Sequence, residues 1–301
     1  MKMKAVFNRD GGTFRTTDME AYGAKAEEVF QAAGHDIEIA AVSGGEMNDV
    51  LEKAARRDDL DAIIAGGGDG TISAAAAVAW KNGMPLGIVP AGTMNLFARS
   101  LKLPLDIWKV LDVLATGHII DADIGSADGH AFVHQFSTGL HARMVRLRDS
   151  YSFASRTGKI VASTRAAIGV IFNPPEFEVD IHIDGKEERR RISAISVSNN
   201  HFGRDTLMFA ESVTGGHLGF YTAPPLRPVG VARLAIDILR GKFRDSAIIT
   251  ETSSQAVDLH FPKSQGRSNC VIDGELKPLG RDVALRIHPG ELKLLVGADV
   301  A

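Results

Sequence analysis

Gly66-Gly67-Gly68-Asp69-Gly70-Thr71 stands between the apolar run Ala62-Ile63-Ile64-Ala65 and the alanine-rich stretch Ser73–Trp80. The order reads as strand, glycine turn, helix. Glycines let the backbone approach a bulky anion and point successive N–H groups at it. The N-terminal end of the following helix adds positive potential. Asp69 is out of place in a plain phosphate cradle, because it repels phosphate. It fits if its carboxylate holds a metal ion, or accepts a proton from a hydroxyl that attacks phosphate. Taken alone, the run reads equally well as a Gly/Asp turn between a buried strand and a helix.

Outward from this run, residues 1–120 alternate strand and helix signals. Met3–Phe7, Asp36–Val42, Asp61–Ala65 and Leu86–Val89 read as strands. Thr17-Asp18-Met19-Glu20 fits a capping box opening a helix that runs to Ala33, with Gly34 as its stop. Further helices are expected at Glu46–Arg56, at Thr71–Lys81 (closed by Asn82-Gly83), at Thr93–Leu101 with Thr93 as cap, and from Pro104 to Ala115. Such alternation implies a mostly parallel sheet covered on both faces. Ligands bind such sheets at the carboxyl ends of the strands, where the glycine run and Pro90-Ala91-Gly92-Thr93 both sit.

From Ile119 onward strand signals dominate: Ile119–Ile124, His130–Phe136, Phe177–Ile183, Ile192–Val197, Gly219–Thr222, Val257–Phe261, Asn269–Ile272 and Val283–Ile287. Helical stretches interrupt them at Lys159–Ile171 and Val229–Leu239, and Asp184-Gly185 is a hairpin signal. Glu291–Val296 reads as a strand or helical turn returning to the first domain. The 301 residues suit two domains. A net charge of -3 gives no global drive toward nucleic acid or anionic membrane. The single Cys270 excludes intramolecular disulfides and Cys-based metal clusters, and fits a reducing, cytoplasmic setting. Met1–Asn8 lacks the apolar region of a signal peptide and reads as a first strand. No apolar stretch is long enough to span a bilayer.

One glycine turn is weak evidence; several elements in order are not. GGGDGT at 66–71, followed by PAGTMNLFAR at 90–99, resembles the diacylglycerol kinase catalytic family, which includes bacterial lipid kinases, sphingosine kinases and ceramide kinases. Asn8 with Gly11-Gly12 resembles the opening loop of that family. Asp123-Ile124-Gly125 with Phe132–Gly139, Ser196–Gly203 and Val271–Glu275 resemble its later segments, so the likeness covers nearly the whole chain. It implies an NAD kinase-like α/β domain over 1–120, to which 289–301 return. It also implies a β-rich, lipid-binding domain over 121–288 and an active site in the cleft between the two.

The resemblance also implies roles. Phosphoryl transfer needs the donor phosphates held, their charge screened, and the acceptor hydroxyl placed in line near a base. Gly66, Gly67, Gly68 and Gly70 would offer backbone N–H groups to ATP, with Thr71, Thr93, Asn95 and Asn8 completing the cradle. Asp69, Asp273 and Glu275 are the candidate catalytic acids, and Asp69 with Asp123 would hold Mg²⁺. Which acid takes the proton stays open, because Asp69 is the favoured base of the sphingosine-kinase branch. Without the resemblance, Asp273-Gly274 says only hairpin, Thr93 only helix cap and Asn8 only turn.

Departures from the family pattern are Ser73-Ala74, Leu96, Gly139-Leu140-His141-Ala142 and Gly215-Gly216-His217-Leu218. The last has glycine where some members bind a structural Mg²⁺, and together they point to an altered acceptor pocket, with His141 and His217 as polar candidates for it. The expected reaction is ATP-dependent phosphorylation of a lipid alcohol: diacylglycerol, ceramide or a sphingoid base. The alternatives are an NAD kinase-like phosphotransferase, or a catalytically weak nucleotide or lipid sensor. Two segments suit a peripheral membrane surface: the basic stretch Arg143–Arg165, and Val229–Leu239 with its flanking Arg227, Arg233, Arg240, Lys242 and Arg244. No nucleic-acid partner is expected, and self-association is left open.

Overall fold

The structure, a computed structural model, describes residues 1–150, 169, 172–263 and 268–298. Two compact units share the chain. The first comprises Met1–Ile124, Ser212–Gly216 and His288–Ala301; the second comprises Gly125–Glu211 and His217–Ile287.

In the first unit, strands β1 (Lys2–Asn8), β2 (Asp36–Val42), β3 (Ala62–Gly67) and β4 (Leu86–Pro90) pair in parallel in the order β2-β1-β3-β4. The final residues add a further parallel neighbour to β4, with Leu294 opposite Leu86. Every residue of β3 and β4 is buried, as expected when helices cover both faces of a parallel sheet. Those helices are α1 (Met19–Ala32), α2 (Met47–Ala55), α3 (Asp69–Asn82), α4 (Leu96–Ser100) and α5 (Lys109–Ala115). Two helix starts differ from the sequence expectation. Asp18, not Thr17, caps α1, its carboxylate accepting from the N–H groups of Glu20 and Ala21. α4 starts at Leu96 rather than Thr93, because Asn95 has φ 51° and cannot be helical. A short 3₁₀ turn, Gly12–Thr16, buries Phe14 against Phe7 and Tyr22, with ring centroids 5.5 and 5.1 Å away.

β5 (His118–Ala127) leads the chain into the second unit. There β6 (His130–Phe132), β7 (Gln135–Gly139), α6 (Leu140–Ser150), β8 (Phe177–Ile183), β9 (Lys186–Ile192), β10 (Ala194–Asn199) and β11 (Leu218–Ala223) are followed by α7 (Pro228–Leu239), β12 (Thr250–Ser254), β13 (Ala256–His260), β14 (Asn269–Ile272), β15 (Glu275–Pro278) and the start of β16 (Asp282–Val296). One antiparallel sheet has the order β12-β11-β10-β7-β14-β15. β8 pairs with β9 and β13, and β13 with β16, all antiparallel. Phe136, Ile195 and Phe220 from the first layer meet Val179, Leu259 and Leu285 from the second in one core.

The outer face of the six-stranded sheet carries a second cluster, in which Leu140 and the α7 residues Val231 and Leu234 pack with Phe202, Tyr221 and Phe243. β8 and β14 have the expected bounds, and Asp184-Gly185 makes the expected hairpin, both with positive φ. The highly charged β9, KEERRRI, carries no apolar alternation and was not anticipated. Glu291–Val296 is strand, the end of β16. The expected helix Lys159–Ile171 lies outside the described residues, Gly169 excepted.

Candidate active site

The glycine turn is built as much by packing as for ligand access. Gly66, next to last in β3, lies beneath two rings: an added Cβ would stand 2.6 Å from Phe7 and 2.8 Å from Phe14. Its glycine is therefore required by the core. Beyond it, Gly68 is the N-cap of α3 and supplies no side-chain cap, so the helix end is open to an anion. Gly92, in the turn after β4, lies against this site. A Cβ there would approach Gly68 Cα at 2.7 Å. The two turns touch backbone to backbone.

Asp69 ties them together. Its carboxylate accepts the N–H of Asn95 at 3.0 Å and of Leu96 at 2.7 Å. It thus caps α4 from a different turn, and the negative charge suits a helix N-terminus. Asn95 is turned inward: its Oδ1 accepts from Gly92 N–H at 2.8 Å and its Nδ2 donates to Gly92 carbonyl oxygen at 3.1 Å. Its side chain closes its own turn. Thr93 is exposed beside it. From the β1 end, Asn8 Nδ2 donates to Thr71 Oγ1 at 3.1 Å, and Thr13 N–H donates to Ala91 carbonyl oxygen at 2.8 Å. Three strand-end turns, after β1, β3 and β4, are thereby joined, and Gly67, Gly68, Gly70, Thr71, Thr93, Asn95 and Asn8 all lie on them.

Asp123 is almost fully buried at 3% exposure. It accepts the N–H groups of Gly216 at 2.6 Å and Gly290 at 3.0 Å, drawing two distant segments onto β5. No three His, Cys, Asp or Glu side chains converge on a metal site among the described residues. The described residues thus build no all-protein cage for a cation, whereas Mg²⁺ carried on phosphates takes only one or two carboxylates from the protein. Asp69 fits that lesser demand, since it accepts two amides where a carboxylate takes roughly four hydrogen bonds.

In the second unit Asp273 occupies the β14–β15 hairpin with φ 45°, followed by Gly274 at 87°. Its carboxylate accepts three successive N–H groups, those of Val133, His134 and Gln135, each at 2.9 Å. Asp273 fastens the start of β7 to the hairpin. Glu275, two residues on, is exposed, with Lys277 Nζ 3.5 Å away.

Beneath α7 lies an apolar cavity of about 420 Å³. Val231, Leu234, Ile238, Leu140 and Met144 line it, with Gln135, His141 and Ser196 among its few polar groups. His141 Nδ1 is 2.7 Å from Ser137 Oγ, and Ser196 Oγ donates to Gln135 Oε1 at 2.8 Å. His217 is elsewhere, its ring tilted by 55° against that of His201 with the centroids 4.4 Å apart. Behind the Tyr221 wall of the cavity, His201 Nδ1 meets Glu251 at 2.5 Å, and Arg244 pairs with the same carboxylate at 2.8 Å. Burial holds the His201 pKa below its ordinary value against the upward pull of Glu251. Burial likewise pushes the Tyr221 phenol well above its usual range. Gln135 and Ser196 enter the sequence reading only as members of the family-like segments Phe132–Gly139 and Ser196–Gly203, with no role attached. The cavity itself has no sequence signal beyond the apolar stripe of Val229–Leu239, which does not say what it faces.

The family model of the diacylglycerol kinase catalytic domain matches residues 2–127. A diacylglycerol kinase from Staphylococcus saprophyticus is 31% identical over 193 residues, 62% of this chain and 58% of the relative. One from Staphylococcus haemolyticus is 32% identical over 177 residues, 58% of this chain and 48% of the relative. The match thus spans about half the length of these curated relatives. Among solved structures, a diacylglycerol kinase from Bacillus anthracis superposes with a TM-score of 0.74 at 18% identity, covering 100% of this chain and 98% of that one, which establishes a shared fold. Residues 2–127, less than half of the chain, thus resemble the diacylglycerol kinase catalytic domain in sequence, and the whole chain shares the fold of the solved relative.

Proposed function

We propose that the protein is an ATP-dependent lipid kinase, transferring the γ-phosphoryl group of ATP to the hydroxyl of a lipid alcohol. One observation carries this reading. The segment that matches the catalytic-domain family contains the Gly66–Thr71 and Gly92–Leu96 turns, fastened to each other by Asp69. The amides at the open start of α3 would bind the donor phosphates. Asn8 already donates to Thr71 Oγ1, which leaves the hydroxyl proton free to point at a phosphate oxygen. Mg²⁺, when bound with the nucleotide, would screen phosphate charge, and Asp69 would hold it. Asp123 and Asp273 are assigned to holding the chain, by the amides they accept. Glu275, exposed and next to the clamped hairpin, is assigned as proton acceptor. The nucleotide half is thus the first unit, and the lipid half the second.

The apolar cavity under α7 supports a lipid acceptor, because few polar side chains line it. Diacylglycerol, ceramide and sphingoid bases all offer a hydroxyl on an apolar body, and the names of the relatives put diacylglycerol first. Contact with a bilayer surface belongs to the same reading, because a lipid acceptor resides there; no helix among the described residues is long and apolar enough to cross a membrane. Transfer of radiolabelled phosphate from ATP across a panel of lipid alcohols tests the proposal. A labelled lipid product, lost in Glu275→Gln with nucleotide affinity retained, is the expected result. ATP binding without transfer to any lipid would replace the kinase reading with that of a sensor, and transfer to NAD would replace it with a nucleotide kinase.

A further inference from the structure

α6 separates two cavities of the second unit. Leu140, His141 and Met144 line the apolar one, while Arg143 and Arg146, on its other side, line a second of about 440 Å³. The second cavity is polar and carries four cations. Two of them are neutralised, Arg191 by Glu176 at 2.8 Å and Lys263 by Glu178 at 2.9 Å. Arg143 and Arg146 form no ion pair among the described residues. Arg143 is half-buried, and its Nε is buried with no hydrogen-bond partner among the described residues.

A buried guanidinium N–H without an acceptor is destabilising, and such groups are uncommon in native structures. An oxyanion is the ligand that satisfies it: the planar fork of arginine matches phosphate oxygens, and a second arginine three residues on presents a second fork to the same space. We propose that the cavity behind α6 binds a phosphate-bearing anion, free or as the head group of an anionic lipid, with Arg143 and Arg146 as its ligands. The site lies wholly in the second unit and stands whether or not the first unit binds ATP. An anion held there would also brace α6 from behind, along the helix that walls the apolar cavity.

The test has two arms on the intact protein: calorimetric titration with inorganic phosphate, and co-sedimentation with phosphatidylglycerol vesicles against phosphatidylcholine vesicles. Arg143→Lys keeps the charge but loses the fork. Arg146→Gln, at an exposed position, preserves the packing should the first variant fold poorly. Each is expected to weaken binding in at least one arm by about tenfold, the effect of losing a charge-assisted hydrogen bond, with ATP affinity unchanged. A response confined to phosphate identifies a free anion, and one confined to phosphatidylglycerol identifies a head group; both support the site. Unaltered binding in both arms overturns it. So does a parallel loss of ATP affinity, because the anion in question would then belong to the nucleotide.

Discussion

Asp69, Asp123 and Asp273 each accept two or three backbone N–H groups, so each carboxylate belongs to the frame before it can belong to a reaction. Removing an acceptor from buried amides costs about 1–3 kcal/mol per group left unsatisfied. Asp273→Ala is therefore expected to lower stability by several kcal/mol, on the order of two or three such groups, in denaturant titration. Asp273→Asn should be much milder, because asparagine tolerates the positive φ and keeps one acceptor oxygen. If both variants melt alike, the amide clamp is not the role of this residue. Gly92→Ala addresses the contact between the turns. A methyl 2.7 Å from Gly68 Cα must push the two turns apart. Overpacking of this kind costs about 1–3 kcal/mol, and nucleotide affinity is expected to fall with it. An alanine variant with wild-type affinity would show that the turns can separate without consequence.

At the scale of the element, α7 is apolar on two sides. Val231, Leu234 and Ile238 face the cavity, while Val229 and Ile236, 81% and 46% exposed, face solvent. Helical spacing puts Arg233 and Arg240 on that same outer stripe. An apolar stripe interleaved with cations suits an anionic interface. Replacing Val229 and Ile236 with Glu should reduce recovery on anionic vesicles several-fold, by about 1 kcal/mol or more per lost apolar contact, without changing the melting temperature. Unchanged recovery would leave the stripe as ordinary surface.

His201, just past the end of β10, carries a pH dependence. His201 has a folded pKa below its ordinary 6.5, because burial disfavours the imidazolium more than Glu251 favours it. The folded state then binds fewer protons than the unfolded one. Its stabilisation is fully present above pH 6.5 and declines as pH falls below that value toward the lowered folded pKa. Thermal melts from about pH 8 to about pH 5 should show that decline, and His201→Gln should flatten it. An unchanged slope in the variant would assign the decline to other groups.

The whole molecule is not a linear string of two domains. The first unit takes its last strand from His288 onward, and Leu292, Leu294 and Leu295 are essentially fully buried there. It also borrows Ser212–Gly216, whose Val213 carbonyl accepts the Asp123 N–H at 2.7 Å. A fragment of residues 1–124 exposes the sheet edge beyond β4 and leaves Asp123 without its two amides. It is expected to be insoluble or to melt without cooperativity in circular dichroism, while fusing residues 288–298 to it should restore a cooperative transition. A cooperative melt of the bare fragment would mean that the returning strand is dispensable.

Local pattern alone determined most of the first unit. β3 and β4 are continuous apolar runs, α1 and α3 end at glycines, and the Asp184-Gly185 and Asp273-Gly274 pairs mark hairpins, because all these signals act within a few residues. The candidate site was legible as a set of residue types, down to Asp69 and Asp273. What those residues do was not, because it depends on contacts between turns far apart in the chain. Gly66 is glycine because Phe7 and Phe14 lie over it, and Asp69 caps a helix that starts at Leu96. β9 stayed hidden because its charged residues satisfy one another and its neighbours instead of alternating. The cavity beneath α7, and the basic one behind α6, exist only where helices pack on a sheet. Periodicity can say that a helix has an apolar face, but only the folded chain decides whether that face meets a core, a cavity or solvent.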